Sequence, residues 1–339
     1  MKALILFLVL FEYQIFAQHF FYQKNYNTIV DDKVVELKIN NENFKVFNGV
    51  VSAEGKYLAG FVIYNSLADN IENMKSREIV DFFGSNQIVN TVVVYSFQED
   101  KILLLEKVKN FPELFFNDDN LVISYFDNYV NVFNLKSDSN KEFDLLYESN
   151  KEFRTYDNNI YLLEKETKGT IIRVFNFNSK DFLISFFINK PAEQIIYIEG
   201  NTVVIKESKE LENSLSIVSE SKDTVKFTIP VIDYFLPNKG LFFVGREEST
   251  SIFLYHYNVR ENKIDKLFSL YTAETNDFLI SQISDVILEN SNVYFCFHSL
   301  VPENENIYQY NRDTKMFTQL TTSGFISTPF GLFKKPIEE

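Results

Sequence analysis

Apolar residues in this chain come in short β-branched or aromatic bursts, each closed by a polar turn. Leu121-Val-Ile-Ser-Tyr-Phe, Ile171-Ile-Arg-Val-Phe, Ile195-Ile-Tyr-Ile, Thr202-Val-Val-Ile and Ile252-Phe-Leu-Tyr have the length and side-chain type of strands. Gly occurs 10 times and Pro 7 times, but Asn 35 times. Asn therefore takes over the turns, because it tolerates positive φ and can bond its own backbone. Helical periodicity is confined to an insertion at 65–90, where Ile71, Met74 and one side of 79–83 are apolar.

The strands recur in a fixed unit. A polar turn ending in Lys separates two strands at Lys33, Lys101, Lys141, Lys180, Lys222, Lys263 and Lys315, with steps of 68, 40, 39, 42, 41 and 52 residues. The step of 68 contains the insertion, and 52 a longer loop. Each unit of about forty residues has room for four short strands. In 111–148 the expected strands are 113–116, 121–126, 129–135 and 143–147. Residues 152–187, 192–231, 232–270 and 280–322 divide the same way.

At this level the chain resembles β-propeller repeats, whose blades are four-stranded sheets of about 40–45 residues. The resemblance is architectural. The Trp-Asp and Gly-His signatures of WD40 repeats, the Gly-Gly pair of kelch repeats and the Trp of quinone-type repeats do not occur. It implies an all-β fold of seven four-stranded blades. Six begin near Phe44, Phe111, Glu152, Ala192, Ile232 and Ile280. The seventh is composite: 19–40 is expected to give its outer two strands and 325–334 the inner ones. Six blades with separate terminal strands, or two packed sandwiches, are the alternatives.

The N-terminus changes the picture of compartment. Met1-Lys2 precedes an apolar run from Ala3 to Phe11, which fits a signal-peptide h-region and is too short to span a bilayer. Residues 1–17 are read as a signal peptide cleaved after Ala17, leaving 18–339 as a single propeller domain. No Cys follows the run, so no lipoprotein-type attachment is expected. Cys296 is the one cysteine, so no intramolecular disulfide can form and the core must hold the fold. None of the 35 Asn residues begins an Asn-X-Ser/Thr site, although chance would give about four. That favours a bacterial envelope: periplasm, cell surface or extracellular space.

Charge narrows the partners. Lys+Arg is 33 against Asp+Glu 47, a net charge of -14, which disfavours nucleic acid. The connections between second and third strands of the units carry Glu164 and Glu166; Glu207, Glu210 and Glu212; Glu247 and Glu248; and Glu303 and Glu305. They are the candidate partner-binding residues. The seven Lys turns lie at the opposite ends of the strands. An acidic face would suit a basic partner or Ca²⁺, although solvated loops of an acidic protein also collect Glu, and no Asp-X-Asp-X-Asp spacing supports calcium. His19, His256 and His298 show no metal-ligand spacing, and no Gly-X-Ser-X-Gly elbow occurs. No cofactor is expected. The first functional reading is an exported, monomeric, non-catalytic propeller that binds a protein or envelope component. The alternative is a propeller hydrolase using channel carboxylates on a glycan or peptide, against which the absence of Trp counts.

Overall fold

The computed structural model describes residues 16–336, interrupted at 65–90, 145–151, 208–214, 236–240, 272–279, 300–304 and at shorter gaps. The expected helix at 65–90 and most of the expected signal peptide lie outside the described residues. Every regular element described is a strand. The chain divides into two compact units, one of 1–125, 132–141 and 327–339, the other of 126–131 and 142–326.

The first unit holds three sheets. One joins β1 (Phe16–Lys24), β2 (Asn27–Val30) and β3 (Lys33–Val34) to the last strand of the chain, β29 (Ile326–Pro336), in the order β29-β1-β2-β3. The second is β4 (Leu37–Ile39), β5 (Glu42–Val51), β6 (Tyr57–Tyr64), β7 (Thr91–Ser96) and β8 (Lys101–Lys107). The third is β9 (Glu113–Asn117), β10 (Asn120–Ser124), β11 (Tyr129–Asn134) and β12 (Ser139–Asp144). The second unit holds four sheets. They are β13 (Glu152–Tyr156), β14 (Asn159–Glu166), β15 (Gly169–Asn176), β16 (Asp181–Ile188); β17 (Ala192–Glu199), β18 (Thr202–Glu207), β19 (Leu215–Ser219), β20 (Thr224–Lys226); β21 (Val231–Phe235), β22 (Leu241–Glu247), β23 (Ser251–Asn258), β24 (Lys263–Tyr271); and β25 (Ile280–Glu289), β26 (Asn292–Ser299), β27 (Asn306–Asn311), β28 (Phe317–Gln319). Every pairing with a described register is antiparallel between sequence neighbours, as short turns require.

The continuous apolar runs follow from burial on both faces. In β6, Ala59, Phe61 and Ile63 pack with Leu121 and Ile123 of the third sheet, while Leu58 and Val62 pack with Phe21 and Phe333 of the composite sheet. In β22, Leu241 and Phe243 join a cluster with Ile196 and Val204, and Phe242 and Val244 join one with Ile283 and Val293. Alternate residues of one strand therefore serve two different cores, and neither face is left for polar residues. β5 lies beside β9, the first strand of the next sheet, and the first strands β13 and β17, and β21 and β25, lie side by side in the same way.

Asn and Asp do make the turns. Asn25-Tyr26, Asp31-Asp32 and Asn40-Asn41 join β1–β2, β2–β3 and β4–β5 as two-residue loops, with positive φ at both positions. That is the type I′ geometry, whose twist matches the flanking strands.

Three expectations need correction. The composite sheet takes three strands from the N-terminal segment and one from the C-terminal segment, because 326–336 contains no turn and runs as one strand. The second sheet has a fifth strand, β4, added to β5 by the Asn40-Asn41 hairpin. The fourth strand of the third sheet is β12, earlier than the expected 143–147, because the turn closes at once after Asn134.

Candidate binding site

The nine candidate glutamates fall in the sequence at or beside four connections, β14–β15, β18–β19, β22–β23 and β26–β27, each of which joins second and third strands of a sheet in the second unit. Glu164 and Glu166 lie near and at the end of β14, Glu207 ends β18 and Glu247 ends β22. Glu305 precedes β27 and is part-buried. Of Glu166 and Glu207 only the strand position is described. Glu210, Glu212, Glu248 and Glu303 lie outside the described residues.

The two glutamates with described contacts are held within their own sheets. Glu164 accepts from Arg173 Nε at 2.6 Å, across β14–β15. Glu247 accepts from Lys266 Nζ at 2.5 Å and from the Tyr255 hydroxyl at 2.7 Å. The hydrogen bonds from Lys266 and then Tyr255 hold the Glu247 carboxyl below its ordinary value. Burial first, then the bond to Glu247, pushes the Tyr255 phenol up. Such a carboxylate stays ionised at neutral pH, which suits charge recognition and is the reverse of what a general acid needs.

At the other strand ends, Lys33, Lys101 and Lys263 open β3, β8 and β24, and Lys315 sits in the β27–β28 turn with φ 61°. Lys141 lies inside β12. Lys180 and Lys222 lie outside the described residues.

A repeated pair of Asn residues went unseen in the sequence. Asn134, Asn176 and Asn311, each ending a third strand, donate through Nδ2 to Asn120, Asn159 and Asn292 at the start of the second strand, at 2.9, 2.8 and 2.9 Å. The Oδ1 of Asn134 and Asn311 also caps the following turn, accepting from Ser137 N–H at 2.9 Å and Thr314 N–H at 2.8 Å. The Asn134–Asn120 pair reaches the turns on both sides, since Asn120 Nδ2 also donates to the Asn117 carbonyl at 3.2 Å. The aromatic-Asn dipeptides Phe133-Asn134, Phe175-Asn176, Tyr257-Asn258 and Tyr310-Asn311 were the available signal.

Each of the two histidines with a described side chain has local partners of its own. His19 Nδ1 lies 2.5 Å from Asp31 Oδ2, with its ring stacked on Phe333, and His256 is buried against Phe242. Among the described residues no three His, Cys, Asp or Glu side chains are grouped to hold a metal ion. No described helix is long and apolar enough to cross a membrane. Cys296 is buried in β26.

No protein-family model matches the sequence, and no curated protein matches it. Solved structures do. The β-propeller domain of the Trilobed protease from Pyrococcus furiosus, described as having an open velcro topology, superposes with a TM-score of 0.51 over 91% of this chain and 100% of that one, at 14% identity. The chain has a β-propeller fold. Within that fold, an oligogalacturonate lyase in complex with manganese is similar at 10% identity and a TM-score of 0.51, covering 91% of this propeller and 86% of the lyase. A prolyl endopeptidase is similar at 7% identity and a TM-score of 0.52, covering 93% of this propeller and 50% of the peptidase chain. These identities carry the fold alone.

Proposed function

We propose that this β-propeller is an exported binding module, acting outside the cytoplasm of a bacterial cell on a basic protein or envelope component. The observation that carries the proposal is the recurrence of glutamate at the same connection of four successive sheets. Glu164 and Glu247 are paired with cations of their own sheets, so the proposal rests on the glutamate-bearing connections taken together and not on any single carboxylate. Clustered carboxylates act over roughly a Debye length, about 8–10 Å at ordinary ionic strength, so recognition of this kind is salt-dependent. The seven-bladed ring, closed by the composite sheet, and the monomeric state belong to this proposal.

A hydrolase remains the second reading, because the similar folds include a lyase and an endopeptidase. It requires a carboxyl kept protonated near neutral pH, and Glu247 is shifted the opposite way.

The test is affinity capture from the native envelope with protein beginning at Gln18, alongside a variant with Glu207, Glu210 and Glu212 all replaced by Gln. A basic partner captured at low salt, released by added salt and weakened in the triple variant is the expected result. Capture that is indifferent to both overturns the acidic-face reading. Cleavage of a glycan or peptide, lost on replacing a single carboxylate, would establish the hydrolase instead.

A further inference from the structure

The opposite ends of the same strands hold a surface of different character. β28, the last strand of its sheet, has β27 on one side, and no other strand of its sheet lies beyond it. Asn311 N–H donates to the Met316 carbonyl at 2.9 Å, and Leu320 N–H to the Ile307 carbonyl at 2.8 Å. Antiparallel alternation then points the N–H and C=O of Phe317 and Gln319 away from β27. The side chains here are apolar although they face water: Met316 is 65% exposed and Phe317 51% exposed. Phe317 is held upright by its ring contacts with Phe268 and Tyr310, at 4.9 Å each. Two other outer strands are built differently. β3 has two residues, and β8 begins and ends in lysine and carries a bulge.

Beside this edge lies a cleft of about 420 Å³ between β24 and the turns β25–β26 and β27–β28. Lys263, Lys266, Arg312 and Lys315 line it against Asp265 and Asp313, and Lys266 is paired with Glu247, in a chain whose net charge is -14. Lys263 and Arg312 share one carboxylate, Asp265, at 2.7 and 3.1 Å, so that trio keeps a positive charge. Lys315 has no ion pair among the described residues. It is one of two residues with positive φ that are neither Asn, Asp nor Gly, a conformation that costs a Lys side chain energy.

We propose that the β28 edge and this cleft form a docking site for an extended acidic peptide segment of a partner protein. The segment adds as a fifth strand through the outward N–H and C=O groups of Phe317 and Gln319. Its apolar side chains lie on Met316 and Phe317, and its carboxylates on Lys315, Arg312 and Lys263. Edge strands with unpaired backbone are templates for such addition, and the flanking charge selects the sign of the segment. This site selects the opposite charge to the glutamate-bearing connections, and Lys266, which also lines the cleft, is the cation bonded to Glu247 of one of them.

The probe is a fluorescent eight-residue peptide of alternating glutamate and isoleucine, with a counterpart in which lysine replaces glutamate, titrated by anisotropy against the protein beginning at Gln18. Saturable binding of the acidic peptide, at least tenfold weaker for the lysine peptide and for the Lys315→Glu variant, is expected. The discriminating variant is Gln319→Pro. It removes an N–H that faces away from β27, so the sheet keeps its ladder and its melting temperature, while strand addition should weaken at least tenfold. No saturable binding up to 1 mM peptide, equal binding of both peptides, or binding unchanged in a folded Gln319→Pro protein overturns the proposal.

Discussion

Asn311 illustrates how much one side chain carries in a fold with few glycines. Its Oδ1 accepts from the N–H groups of Asp313 and Thr314 and from the Thr314 hydroxyl, while its Nδ2 reaches Asn292 across the strand. Replacing Asn311 by Ala should cost about 2 kcal/mol in denaturant unfolding, since several part-exposed hydrogen bonds are lost together. Asn311→Asp, which keeps the acceptor, should cost less. Tyr57 gives a pH-dependent prediction. It donates to Asp119 at 3.2 Å, and burial, then the Asp119 charge, raises its phenol from the ordinary value to about 12. The folded state holds this proton more tightly than the unfolded state. Its contribution is therefore complete below pH 10 and fades as pH rises towards 12. Absorbance titration should show phenols ionising late in the folded protein, and Tyr57→Phe should flatten the loss of stability over that interval. A Tyr57→Phe protein with an unchanged alkaline slope would show that other groups govern it. The sequence revealed that Asn crowds the turns but not that Asn292 meets Asn311. That meeting depends on register between strands 19 positions apart, which composition does not contain.

Strand positions were the most legible level, because a strand buried on both faces must be apolar at every position. The runs beginning at Leu121 and Thr202 therefore stood out, and β10 and β18 occupy them. The expected first strands at Glu152, Ala192 and Ile280 are where β13, β17 and β25 begin. What failed were the short edge elements. β4 has three residues and only Leu37 of them is buried, so no apolar run announces it. β12 reads as polar Ser-Asn-Lys-Glu-Phe-Asp, and the more apolar stretch after it attracted the assignment. Close approach between elements was also invisible. Gly55 has φ 65°, and a Cβ there would lie 2.0 Å from the Leu332 carbonyl oxygen of β29. Since the obstacle is backbone, Gly55→Ala must displace either the turn or β29. It should cost about 3 kcal/mol or more in chemical denaturation, well above an ordinary surface change. A loss under 1 kcal/mol would mean that β29 is free to shift.

At the scale of the whole molecule, the composite sheet ties together the most distant parts of the sequence. Phe21 and Phe97 have ring centroids 4.2 Å apart, and Phe333 stacks on Phe97 at 4.9 Å, so β29 is held both by β1 of its own sheet and by the residue that follows β7 of the second sheet. Deleting 323–339 should abolish the cooperative thermal transition and promote aggregation, because β1 would present a bare edge and Phe21 and Phe97 would lose their cover. Trimming 337–339 alone should leave the melt intact. Sequencing the natively secreted protein should give Gln18 as its first residue, and a mature chain starting at Met1 would remove the export reading. The pairing of β1 with β29 also has a temporal meaning. Synthesis makes β1 about 300 residues before its partner, so the sheet they share cannot be completed until β29 has been made. Until then the surfaces of Phe21 and Phe97 that Phe333 covers stay bare, so a pause in synthesis before β29 leaves apolar rings exposed.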